Sequence, residues 1–85
     1  MFRVRRVGRA VPRYYFNICS EEFEETDLVG EHCSDDLAAL KEALRQASSL
    51  VEQQLFFNKV VDAWIEVEDE DHREVMRLPL RAAAY

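Results

Sequence analysis

SDDLAALKEALRQASSLVEQQL, residues 34–55, is the stretch from which the fold follows. Leu37, Leu40, Leu44, Ala47, Val51 and Leu55 recur every three or four residues, which is one apolar stripe along a helix. Ser34 or Asp35 stands where an N-cap belongs, and Asp35 and Asp36 meet the positive end of the helix dipole. Lys41, Glu42, Arg45, Ser49 and Glu52 fall outside the stripe and are expected to face water. A helix with one apolar stripe needs a second layer to pack on.

That layer is supplied on both sides of the helix. Arg13 to Cys19 is rich in strong strand formers, with Tyr14, Phe16 and Ile18 on one face and Tyr15, Asn17 and Cys19 on the other. Ser20 to Asp27 reads as a polar connection, and Leu28 to Cys33 as a short second strand or an extended arm, with Gly30 marking a bulge or a tight bend. Beyond the helix, Val60 to Glu68 alternates Val61, Ala63, Ile65 and Val67 with Asp62, Trp64, Glu66 and Glu68. Asp69 to His72 forms a polar turn. Glu74 to Leu80 returns with Met76, Leu78 and Leu80 inward and Val75, Arg77 and Pro79 outward. Pro79 lacks a ladder donor and suits an edge strand or a strand end.

The predicted fold class is therefore α+β: a four-stranded antiparallel sheet in the order β-β-α-β-β, with one long amphipathic helix on one face. Residues 13–82 form a single domain. Residues 1–12 are expected to be a basic, flexible extension or an overlong gene start, and 83–85 a loosely held tail. One helix covers one face only. The other face is expected to carry Tyr15, Asn17, Trp64, Glu66 and Arg77, and a cluster of apolar groups on such a face marks a contact.

Charge is unevenly distributed. Arg3, Arg5, Arg6, Arg9 and Arg13 fall in the first thirteen positions with no acid among them. From residue 14 onward six basic residues stand against seventeen acidic ones, a net charge of −11. Such a body repels phosphate backbones and argues against broad nucleic-acid binding. Arginines interrupt any apolar run at the start, so no signal peptide is read there, and no stretch reaches the length of a membrane span. The expected location is cytoplasmic.

Chemistry-bearing residues are few. Cys19 and Cys33 read as two buried free thiols, a disulfide being the lesser alternative. Cys33 precedes the helix N-terminus and adjoins His32, the one setting here with a mechanism for a lowered thiol pKa. Zinc ligation lacks a paired Cys-x-x-Cys spacing. His72 sits among Glu68, Asp69, Glu70 and Asp71, but the spacing is not that of an EF-hand loop, and a solvated turn is the simpler reading. No catalytic residue, metal, cofactor or small-molecule substrate is assigned.

Pro12-Arg13-Tyr14-Tyr15-Phe16 resembles the opening of a family of short bacterial proteins of unknown function that begin Met-Pro-Arg-Tyr-Phe-Phe. The likeness continues through Asp27-x-x-Gly30, Ala38-Ala39-x-x-Glu42-Ala43-Leu44 and Ile65-Glu66-Val67-x-Asp69-Glu70, and closes at Leu78-Pro79-Leu80. It covers Pro12 to about Ala82. The resemblance implies a compact β-β-α-β-β domain and no particular activity. The family usually has Gly where His72 stands, which predicts a positive φ at His72.

The function these features support is a non-enzymatic protein-interaction module, self-associating through the open sheet face or an edge strand. Tyr and Trp are favoured interface anchors, and a small domain gains from covering an open face. The alternative is a nucleic-acid-associated regulator in which Tyr15 and Trp64 stack bases and the Arg-rich start holds phosphates. Against it, Glu66 and Glu68 share the face of Trp64. A third reading needs no partner at all: Trp64 packs beside Arg77 through a cation–π contact.

Overall fold

The computed structural model describes residues 11–53 and 62–83. Its elements are β1 (Arg13–Cys19), β2 (Glu24–Glu25), β3 (Glu31–His32), α1 (Asp36–Gln53), β4 (Trp64–Glu68), β5 (Glu74–Pro79) and a 3₁₀ helix (Leu80–Ala83). The sheet is antiparallel and five-stranded, with order β2-β1-β4-β5 and β3 pairing separately with β1. The α+β class and the single helix follow the expectation, and the strand count does not.

The extra strand arises because part of the predicted polar connection also pairs: β2 lies within Ser20–Asp27, and only β3 lies within the predicted Leu28–Cys33 strand. β2 pairs Glu24 and Glu25 with Cys19 and Ile18, while β3 pairs Glu31 and His32 with Tyr14 and Arg13. Between them the Asp27 carboxylate takes the place of a ladder partner. Its Oδ2 accepts the Phe16 N–H at 3.1 Å, and its Oδ1 accepts those of Val29 and Gly30 at 3.0 Å each. Leu28 and Val29, expected inside a strand, bulge into solvent instead.

β4 joins the two halves of the fold. Phe16 opposes Val67 on one side, and Met76 opposes it on the other. Ile65 and Val67 are fully buried, as their alternation requires. The chain enters this strand at Trp64, later than the expected Val60; Val60 and Val61 lie outside the described residues. β5 carries one extra residue, Val75, between the partners of Val67 and Glu68, and the irregularity sits beside the turn. In that turn Asp69 Oδ1 accepts the N–H groups of Asp71 and Arg73. His72 has φ 63°, the left-handed conformation predicted for it.

α1 is turned relative to its predicted stripe. Ala39, Ala43 and Ala47 are completely buried, whereas Leu37 is 60% exposed and Leu44 38%. The sheet explains this. Tyr14, Phe16, Ile65 and Val67 fill the space between the layers, so the helix meets them with methyl groups at four-residue spacing and comes in close. Leu50 and Val51 pack at the margin, and Leu55 lies outside the described residues. Asp35 is the cap, its Oδ1 accepting the Ala38 N–H at 2.8 Å. Asp36 Oδ1 accepts the Tyr14 hydroxyl at 2.6 Å, tying the helix start to β1.

Leu80–Ala83 is tied to the body, while residues 84–85 of the expected tail and 1–10 of the expected extension lie outside the described residues. Leu80 is 1% exposed, its N–H donates to the Ala63 carbonyl at 3.0 Å, and the 3₁₀ helix packs on α1. At the other end, Val11 and Pro12 are drawn in by bonds to His32 and Cys33.

Candidate interaction surfaces

Tyr15, Asn17, Trp64, Glu66 and Arg77 do share the sheet face opposite α1, as the register of β1, β4 and β5 requires. Three of the five are covered by their own neighbours. Asn17 is 1% exposed, and its Oδ1 accepts the Asp27 N–H at 2.9 Å. The Trp64 indole donates to Glu66 Oε2 at 3.1 Å, and the Arg77 guanidinium lies 5.3 Å above the ring. Arg77 also donates to Glu66 and Glu74 at 3.0 and 3.1 Å. The ring of Tyr15 is stacked on His72. The cation–π contact weighed for Trp64 is thus formed, within a network that satisfies its own polar atoms.

The cysteines lie at opposite ends of β1 and are free. Burial pushes the Cys19 thiol up to about 11, with Glu66 and Glu24 adding to it. Burial also raises Cys33, and Glu31, Glu42 and Asp35 work in the same direction. Desolvation and acidic neighbours outweigh the helix start that was the rationale for an activated thiolate. Both His32 ring nitrogens are engaged: Nδ1–H donates to the Val11 carbonyl at 3.0 Å, and Nε2 accepts from Arg13 Nη2 at 3.0 Å. His72 Nδ1 donates to Glu68 Oε1 at 3.0 Å. Among the described residues no group of three or more His, Cys, Asp or Glu could hold a metal ion. No described helix is long and apolar enough to cross a membrane.

A different surface has the marks of a built site. Leu28 is 85% exposed and Val29 74%, yet the turn that carries them is tightly held. Besides the Asp27 bonds, Arg13 Nη1 donates to the Val29 carbonyl at 2.6 Å. Gly30 closes the turn with φ 75°. A Cβ there would lie 2.8 Å from the Tyr14 carbonyl oxygen and 2.9 Å from Arg13 Cγ. Burial alone would raise the Asp27 carboxyl, but the N–H groups of Gly30, Phe16 and Val29, with Arg13 nearby, hold it below its ordinary value. Gly30 was expected to mark a bulge or a tight bend, and it closes this turn. The exposure of Leu28 and Val29 was hidden, because the same residues also read as strand.

Behind the tip runs a groove of about 660 Å3 between the arm and α1, floored by Phe16 and Ile18 and walled by Glu25, Glu31 and Gln46. Gln46 Nε2 donates to Glu42 at 2.9 Å and Glu31 at 3.3 Å. Arg45 forks onto Glu42 at 3.0 and 2.6 Å and holds that carboxyl down to about 2. Glu31 has no such cation. Burial raises its carboxyl, and the neighbouring Glu42 raises it further. A second depression, about 500 Å3, lies beside Trp64, Arg77 and Pro79 at the far end of the sheet.

Residues 13–81 match the domain of unknown function DUF6894, and the chain belongs to that family. No curated protein and no solved structure gives a significant match.

Proposed function

We propose that this domain is a non-enzymatic protein-interaction module that contacts a second polypeptide through the Leu28–Val29 tip. The observation that carries this reading is the pairing of high exposure with a rigid mount. Two adjacent aliphatic side chains stand in water while five hydrogen bonds and a left-handed glycine fix the backbone beneath them. A loop that served only as a connection would gain from polar residues at these positions. Covering the two side chains contributes about 1.5–3 kcal/mol each. Because the mount is already ordered, little of that is lost to fixing the loop.

Self-association through the open sheet face has less support, since Arg77 and His72 already cover Trp64 and Tyr15. The free edge of β5 is blunted by Pro79 and by the extra residue at Val75. Nucleic-acid stacking on that face has to overcome Glu24, Glu66, Glu68 and Glu74, which project from it.

Site-specific photo-cross-linking tests the reading. Benzoylphenylalanine replaces Leu28 in one variant and Ser48, exposed on α1, in another. Adducts to a second polypeptide in the native cell are expected at 28 and not at 48. Equal labelling at both positions, or none at 28, rejects the tip as a contact. An adduct of twice the chain mass at 28 identifies the partner as another copy.

A further inference from the structure

The groove behind the tip has a lining that selects the chemistry of an occupant. Its floor is apolar, Phe16 and Ile18, and its walls carry Glu25 and Glu31. Among the described residues neither carboxylate has a cation within ion-pair distance, because Arg45 is committed to Glu42. Glu31 stands by an apolar floor with the Gln46 amide and the Glu42 carboxylate as its neighbours, a setting for a further cationic group on an aliphatic stem. An arginine side chain has that form.

The first ten residues, MFRVRRVGRA, supply such groups. Arg3, Arg5, Arg6 and Arg9 come with no acid, and Phe2, Val4 and Val7 alternate among them. The body they adjoin carries a net −11, so the attraction is mutual. Topology puts the segment close at hand. The Val11 carbonyl is bonded to His32, and Pro12 to Cys33, while Glu31, next in sequence, is a wall of the groove. Ten residues reach up to about 33 Å when extended.

We propose that residues 1–10 dock in cis into the groove between α1 and the Glu24–Gly30 arm, their guanidinium groups pairing with Glu25 and Glu31 above the Phe16–Ile18 floor. This goes beyond the Leu28–Val29 contact: those two residues rim the same groove, but the pairing invoked here is with Glu25 and Glu31 and needs no second polypeptide.

The test compares the full chain with the full-length variant Arg3→Ser/Arg5→Ser/Arg6→Ser/Arg9→Ser by amide nuclear magnetic resonance. Amides of Gly30, Glu31 and Gln46 are expected to shift, while the Trp64 indole stays where it was. Raising NaCl from about 0.05 to about 0.5 M should move the native chain toward the variant, because exposed pairs are screened. Glu25→Gln/Glu31→Gln should produce the same loss, and combining the two sets should add nothing. Shifts centred on Trp64 and Glu66 would place the segment on the open face and overturn the proposal. So would shifts that grow with protein concentration, which belong to a second copy's segment, and so would no shift at all. An adduct between Leu28 and a second polypeptide adds that partner's mass, whereas docking of residues 1–10 within one chain adds none, so the two readings fail separately.

Discussion

The imidazole of His72 lies on the phenol ring of Tyr15, with centroids 4.4 Å apart and planes 25° from parallel. The contact exists because His72 sits in a left-handed conformation, φ 63°, that turns its ring back over the sheet. Strain and stacking therefore oppose each other at one residue. His72→Ala keeps the strain and loses the stack, and a cost of about 1–2 kcal/mol is expected. His72→Gly loses the stack but also the strain, and should recover about 1 kcal/mol of that cost. Urea unfolding of the two variants measures the difference. Equal stabilities would show that φ at this turn carries no penalty.

Asp27 makes the domain acid-sensitive at a defined place. Its folded pKa is below the ordinary value of 3.8, so the bonds it accepts contribute fully above about pH 4 and are lost as pH falls through the lower, folded value. Asp27→Asn removes one acceptor oxygen and the charge, with an expected cost of about 2–3 kcal/mol at neutral pH. The acid branch of its stability curve should be flatter than that of the native chain below the ordinary carboxyl value of 3.8. Thermal melts across that range test both statements. An unchanged acid branch would mean that another carboxylate sets it.

The two sides of α1 should respond in opposite ways to enlargement and to charge. Ala43→Leu adds three heavy atoms at a fully buried position of the cluster that holds Ile65 and Val67, and is expected to cost about 2–3 kcal/mol. Leu37→Lys, at a position the stripe alone would place in the core, should change stability by less than about 0.5 kcal/mol, because that side chain is 60% exposed. Denaturant midpoints of the two variants test the orientation of the helix directly.

Arg77→Ala should leave the backbone in place and uncover the indole of Trp64. Red-shifted tryptophan emission is expected, with a stability loss of about 0.5–1 kcal/mol. Unchanged emission would mean that the guanidinium does not shield the ring in solution.

Cys19 and Cys33 should both resist alkylation in the native state at about pH 8, since thiolate is scarce when burial raises the pKa. Labelling should appear at both positions once urea unfolds the chain. Fast native-state labelling of Cys33 alone would reopen the case for a reactive thiol at the helix start.

Periodicity found the helix, β1 and the β4–β5 hairpin, because strong alternation at Ile65 and Val67 and a long run of helix formers leave little choice. It misplaced the buried side of α1. A stripe of leucines outweighs alanines in any hydrophobicity count, and only the bulk of Tyr14 and Phe16 across the interface decides that methyl groups must face inward. It also missed that a carboxylate could stand in for a strand. Asp27 has no period, and its role depends on three N–H groups supplied by Phe16, Val29 and Gly30. The open face was legible residue by residue, but its cover by Arg77 and His72 was not. That cover needs the β4–β5 register and the turn at Asp69.

The alanine ridge of α1 has a mechanical consequence. Interlocking side chains index one layer against another, and a row of methyl groups indexes weakly. Sliding the helix by one turn replaces Ala39 with Ala43 and meets nearly the same surface. What fixes its axial position is then polar: the Tyr14 hydroxyl on Asp36 at the entry, with the hydroxyl pKa driven up to about 12 chiefly by that bond. That phenol oxygen, with the Gln46 amide on Glu31 of β3 farther along, serves as the detent that keeps an otherwise smooth bearing in register.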